Sequence, residues 1–169
     1  RHILINFGGG DKLNLTEKVL KSLSKIKLPK NIQIDVVLGP QGSLGANISS
    51  FRDVFCGQIK FSKSITNMAE IMTSADLAIS AAGSTSWERC ALGLPAIIFS
   101  IADNQKKITE NIVKNGAGIS LCELSLTNGE FEASFQKFYS RDVLLSYSKA
   151  ASKITEGCGA SALIGKFND

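Results

Sequence analysis

Two glycine turns, each placed where a short apolar run gives way to a helical pattern, constrain this chain more than any other feature. The first is Ile3-Leu4-Ile5-Asn6-Phe7 followed by Gly8-Gly9-Gly10. The second is Ala75-Asp76-Leu77-Ala78-Ile79-Ser80 followed by Ala81-Ala82-Gly83-Ser84-Thr85. Glycine lets a backbone come close to a ligand, and the helix that follows presents free N–H groups and the positive end of its dipole. On one parallel sheet both turns face the same edge, which predicts a pocket for a phosphate-bearing ligand.

Strand-like and helix-like segments alternate along the chain. Ile3–Phe7 reads as a strand covered on both faces. Leu15, Val19, Leu20, Leu23 and Ile26 recur at helical spacing, Asn14-x-x-Glu17 offers a capping box, and Pro29 stops the helix. Ile32–Leu38 is a second strand, and 41–54 reads as loop plus a short helix. Strands at Gln58–Ser62, Asp76–Ser80, Ala96–Ser100 and Ile119–Leu121 follow, with a short helix at Met68–Thr73. Trp87, Cys90, Ala91 and Leu94 follow i, i+3, i+4, i+7 and are expected to face the core. Ile108, Ile112 and Val113 do the same for a helix over Gln105–Lys114, which Gly116 and Gly118 end. Helices at Phe131–Tyr139, Val143–Thr155 and Ala160–Phe167 complete the reading. This order predicts an α/β fold: a doubly wound, Rossmann-like parallel sheet of about six strands with helices on both faces. A length of 169 residues suits one such domain.

Several function classes are disfavoured. The net charge is +4, and the densest basic run (Lys21, Lys25, Lys27, Lys30) lacks interleaved aromatics, so it reads as a solvated helix face, not a nucleic-acid groove. Cys56, Cys90, Cys122 and Cys158 form no CxxC pair, and His2 is the sole histidine, so zinc is not expected and the thiols suit a reducing cytoplasm. No apolar run approaches the roughly 20 residues of a membrane span, and no signal peptide is visible. A dinucleotide fingerprint fails because Leu13 stands where a third glycine belongs and Asp35 lies mid-strand. There is no P-loop signature. The opening Arg1-His2-Ile3, with no initiator methionine and an immediate strand, reads as the start of a piece cut from a longer protein.

The stretch Gly83-Ser84-Thr85-Ser86-Trp87-Glu88-Arg89-Cys90-Ala91-Leu92-Gly93-Leu94-Pro95, followed by Ala102-Asp103-Asn104-Gln105, resembles the C-terminal half of GT-B-type nucleotide-sugar enzymes. It is most similar to the UDP-sugar hydrolases of pseudaminic acid biosynthesis, and more distantly to the N-acetylglucosaminyltransferases of peptidoglycan synthesis. The likeness spans roughly Ile3–Leu121 and implies that residues 1–169 form a single nucleotide-sugar-binding domain lacking an N-terminal catalytic domain. It implies that Gly83, Ser84 and Thr85 hold the diphosphate, with Gly8, Gly9 and Gly10 facing it across the cleft. It assigns Glu88 to the ribose hydroxyls, the backbone at Ile65 to the uracil edge with Met68 packed nearby, and Asn104 and Gln105 to the sugar. Two residues depart from the hydrolase pattern: Gly10 stands where serine is usual, and Ala82 where glycine is usual.

Bland readings stand beside these. Thr85-x-x-Glu88 is also a capping box, Trp87 fits the core, and Asp103 fits an N-cap. The resemblance implies a UDP-sugar as partner and no cofactor; the residues themselves, with no carboxylate cluster in the cleft-forming stretches beyond Asp103 and the distant Asp76, lead us to expect no metal, no nucleic acid and no membrane insertion. It implies hydrolytic release of UDP, with the catalytic histidine in the absent domain and this chain inactive alone. The alternatives are the donor-binding domain of a GT-B glycosyltransferase and a non-catalytic nucleotide-binding module.

Overall fold

The computed structural model describes residues 1–29, 31–42, 48–55 and 58–158. Six strands, β1 (His2–Asn6), β2 (Gln33–Leu38), β3 (Ile59–Lys63), β4 (Leu77–Ala81), β5 (Ala96–Phe99) and β6 (Gly118–Leu121), form one sheet in the order β3-β2-β1-β4-β5-β6. Every neighbouring pair is parallel. The doubly wound expectation therefore holds, and the strand order reverses between β1 and β4, the switch point where such sheets open a crevice.

Among the described residues, seven α-helices connect the strands and cover both faces: α1 (Leu15–Leu23), α2 (Ile48–Val54), α3 (Met68–Ser74), α4 (Thr85–Ala91), α5 (Lys106–Lys114), α6 (Glu130–Lys137) and α7 (Arg141–Ala151). Alternation along the strands divides the core. Ile3, Ile5, Val36, Ile79, Ile97 and Phe99 pack with Val19, Leu23, Phe131, Phe135 and Leu144 on one face. Leu4, Val37, Ala78 and Ile98 pack with Met72, Cys90, Leu94 and Ile112 on the other. The first face is the more aromatic: Phe99 meets Phe7 edge-on at 5.8 Å and lies 6.4 Å from Phe131, which stacks on Phe135 at 6.0 Å. None of the described helices is long and apolar enough to cross a membrane.

Some local expectations are overturned. Trp87 and Val113 are each 39% exposed. The apolar stripe of α4 is narrower than the sequence spacing implied, because Ser86, Arg89 and Cys90 take the buried positions. On α5, Thr109 and Ile112 face inward. The first helix ends at Leu23, well before Pro29. The capping box Asn14–Glu17 is not formed: Asn14 has a left-handed φ of 52°, and its side chain caps nothing. The α2 helix accounts for part of 41–54. The expected helix Ala160–Phe167, Lys30 and Cys56 lie outside the described residues.

Phe131 is 1% exposed at the centre of the aromatic cluster. Phe131→Ala should cost about 3–5 kcal/mol of stability through lost transfer energy and the cavity left behind. Urea unfolding followed by tryptophan fluorescence measures this, and a loss under about 1 kcal/mol would mean that the cluster does not carry the packing.

Candidate functional site

Parallel pairing sets Asn6 beside Ser80, so β1 and β4 end at the same edge of the sheet. The turns that follow them line one cleft of about 740 Å³. Gly8, Gly9 and Gly10 form one rim, Gly83, Ser84 and Thr85 the other, and Ile101, Ala102 and Gln105 after β5 close a third side. A ligand of nucleotide-sugar size fits such a volume. Cβ atoms placed on Gly9 or Gly83 would meet nothing within 4 Å, so the close approach those glycines allow is toward the open cleft.

The first rim rests on a contact that sequence reading missed. Gly39, just past β2, presses on the turn so closely that a Cβ there would lie 2.4 Å from both Gly8 O and Gly9 Cα. The N–H of Gln41 donates to Gly9 O at 3.1 Å. Gly8 itself has φ +80°, the left-handed region that glycine enters without strain.

The two helix starts beside the cleft differ. The Asp11 carboxylate accepts from Leu15 N at 2.8 Å and from Thr16 N at 2.9 Å, so α1 is capped from within the protein. The sequence reading of free N–H groups at this helix start is thus overturned: Leu15 and Thr16 donate to Asp11. Asp11 stands directly after the triple glycine and four residues before Leu15, a spacing that signals the cap in hindsight. At α4 no side chain caps the helix, which also sets aside the Thr85–Glu88 capping box. Among the described residues, the N–H groups of Gly83, Ser84 and Thr85 find no acceptor. Ala82 is fully buried, and its φ is not positive, so alanine is tolerated there.

Of the other sequence-predicted residues only Gln105 belongs to the cleft lining; Glu88, Asn104, Ile65 and Met68 sit around it. Glu88 is exposed on α4, and Asn104 is exposed. Gln105 lines the cleft, with its Oε1 accepting from Ile101 N at 3.0 Å. Ile65 and Met68 are partly buried against the α3–α4 face of the core. Ile65 follows Ser64, whose N–H donates to Leu38 O, so this loop stands at the same strand edge two strands away. Asp103 is no helix cap; it pairs with Lys106 at 2.8 Å in solvent. His2 lies at the opposite edge of the sheet, with Nε2 2.9 Å from Asp35 Oδ2 and Nδ1 2.9 Å from Ser74 O.

The family profile "Glycosyltransferase family 28 C-terminal domain" matches residues 3–157. MJ1062 of Methanocaldococcus jannaschii is 34% identical over 116 residues, covering 68% of this chain and 24% of that protein. The spore coat polysaccharide biosynthesis protein SpsG of Bacillus subtilis is 28% identical over 121 residues, covering 72% of this chain and 35% of SpsG. The chain thus spans about a quarter to a third of the length of these relatives. Among solved structures, Acinetobacter baumannii MurG aligns with a TM-score of 0.75 at 18% identity, over 97% of this chain and 50% of MurG. The spinosyn rhamnosyltransferase SpnG, in complex with thymidine diphosphate, aligns with a TM-score of 0.75 at 19% identity, over 100% of this chain and 45% of SpnG. At these identities the structural matches speak to the fold, a GT-B C-terminal domain.

The contact beneath the first rim makes a direct prediction. Gly39→Ala should destabilise the chain by about 1–3 kcal/mol, because the added methyl meets backbone that cannot swing away. Thermal unfolding reads the loss, and a melting temperature equal to wild type would mean that the rim does not rest on residue 39.

Proposed function

This chain belongs to the glycosyltransferase family 28 C-terminal domain family, and on that premise we propose that it is the donor-binding half of a two-domain enzyme acting on a nucleotide-activated sugar. The observation that carries the reading is the shared cleft, with two glycine turns from adjacent parallel strands facing each other across it. The donor diphosphate lies between them. It accepts hydrogen bonds from the N–H groups of Gly83, Ser84 and Thr85 and from the two hydroxyls, while Gly8–Gly10 let the backbone approach from the other rim.

The remaining contacts follow from placement. Glu88, exposed one turn into α4, accepts from the ribose hydroxyls. The Ser64–Met68 loop holds the uracil, with the backbone of Ile65 pairing to its edge. Asn104 and the free amide end of Gln105 meet the sugar hydroxyls, a neutral pairing suited to them. As the bond from the sugar's anomeric carbon to the β-phosphate oxygen breaks, negative charge grows on the leaving UDP. The uncapped start of α4 stabilises that charge. The group that activates the incoming nucleophile belongs to an N-terminal partner domain, so the chain alone binds donor without turning it over.

Family membership supports glycosyl transfer as the reaction, which the sequence had offered as the alternative. Hydrolysis of a UDP-sugar remains the second reading, favoured by the likeness of Ser84–Pro95 and Ala102–Gln105 to the hydrolase pattern. The similarity to SpsG supports a place in surface-polysaccharide biosynthesis under either reading.

Calorimetry tests the site. UDP should bind at least about tenfold more tightly than uridine, since charged hydrogen bonds to the diphosphate contribute about 1.5–3 kcal/mol; equal affinities would exclude the glycine turns from phosphate binding. Glu88→Ala should weaken UDP binding by about 1.5–3 kcal/mol with the melting temperature held. An unchanged affinity removes Glu88 from the ribose site. In the full-length enzyme, UDP release that needs an added acceptor supports transfer, and release into water alone supports hydrolysis.

A further inference from the structure

Arg89 heads the largest fully buried side chains of the described residues, at 2% exposure, and it is a cation with no anion beside it. It starts in the last turn of α4, and its side chain runs back toward the helix start, as helical side chains do. The guanidinium donates from Nη1 to Ser80 Oγ and, at 3.4 Å, from Nη2 to Ser86 Oγ. Ser80 is the next-to-last residue of β4, and Ser86 lies at the start of α4. The positive charge is therefore fixed behind the Ala81–Ser84 turn, at the level where that turn lines the cleft.

Nothing nearby among the described residues balances it. Among the described residues no carboxylate pairs with Arg89, and its Nε has no hydrogen-bond partner. Burial lowers the guanidinium pKa to about 10, which leaves it charged at neutral pH. Burial also raises the pKa of the neighbouring Cys90 thiol, so that thiol stays neutral and supplies no counter-charge. The start of α4 adds partial charge of the same sign. An unpaired buried cation beside the positive end of a helix is strongly unfavourable in an empty site. An anion at the Gly83–Thr85 rim would relieve it.

We propose that Arg89 is a positioning and specificity residue: a buried counter-charge, acting from behind the turn without touching the ligand, that makes the cleft select multiply charged nucleotides. This rests on the donor-site reading above. The hydroxyls of Ser80 and Ser86 hold the guanidinium without neutralising it, so its field reaches the rim through low-dielectric protein. Serine partners thus retain the attraction that a carboxylate partner would cancel.

The test measures UDP, UMP and uridine binding by calorimetry, and melting of the ligand-free chain, for wild type, R89M and R89K. R89M should weaken UDP by about tenfold or more, UMP by less, and uridine by under about twofold, because the effect scales with ligand charge. Its ligand-free melting temperature should hold or rise, since an unpaired buried charge has been removed. R89K should keep most of the UDP-to-uridine ratio. Equal losses for UDP and uridine with a lowered melting temperature would make Arg89 a packing residue and overturn the inference. So would an unchanged UDP affinity in R89M. Should R89M fail to fold, R89K decides, and collapse of its UDP-to-uridine ratio overturns the inference. A wild-type chain that binds no UDP overturns the donor site itself, whereas wild-type binding with an unchanged R89M ratio overturns this inference alone.

Discussion

The parallel pairing of β1 with β4 is the constraint on which the rest of the molecule depends. Two neighbouring strands that run the same way must release their connections at the same edge. Here those connections are the two glycine turns, and the register that sets Asn6 against Ser80 brings them level. Each strand is fixed in turn by apolar burial on both faces, so the position of the cleft follows from the core. The helices contribute by filling those faces, and the loop before α1 and the first residue of α4, Thr85, line the cleft.

The two rims share an architecture but differ in electrostatics. Asp11 satisfies the start of α1 and brings a negative charge to that side. The start of α4 is unsatisfied, and Arg89 stands buried behind it. The Gly8 rim thus carries a capped helix start with Asp11 and Lys12 side by side, and the Gly83 rim an uncapped one with a buried cation behind it. In the donor-site reading proposed above, the diphosphate takes its charged hydrogen bonds from the Gly83 side and close backbone contact from the Gly8 side.

Much of the fold was legible in the sequence because fully buried parallel strands are short apolar runs bounded by turn residues. The inner strands were visible on that ground, whereas the edge strands β3 and β6, only partly buried, were placed by the alternation of elements around them. Features that depend on tertiary partners were less legible. The helical phase of Trp87 with Cys90 and Leu94 pointed inward, yet Arg89 holds the inner position, and no propensity rule buries an arginine in preference to a tryptophan. The cap of α1 was assigned to Asn14 by its spacing from Glu17, while Asp11 reaches the same helix from across a left-handed residue. Gly39 looked like a strand terminator. Its tighter role, fitting under the backbone of Gly8 and Gly9, is a contact between segments some thirty residues apart that one-dimensional patterning does not encode.

The empty surroundings of Gly83 have an evolutionary corollary. Its φ is not in the left-handed region, and a methyl group there would touch no protein atom within 4 Å. Folding alone thus exerts almost no purifying pressure on this codon, and a little added chain stiffness would even reward its loss. The side chain that a substitution would add at position 83 projects into open space, where an occupant of the cleft and not the fold would meet it.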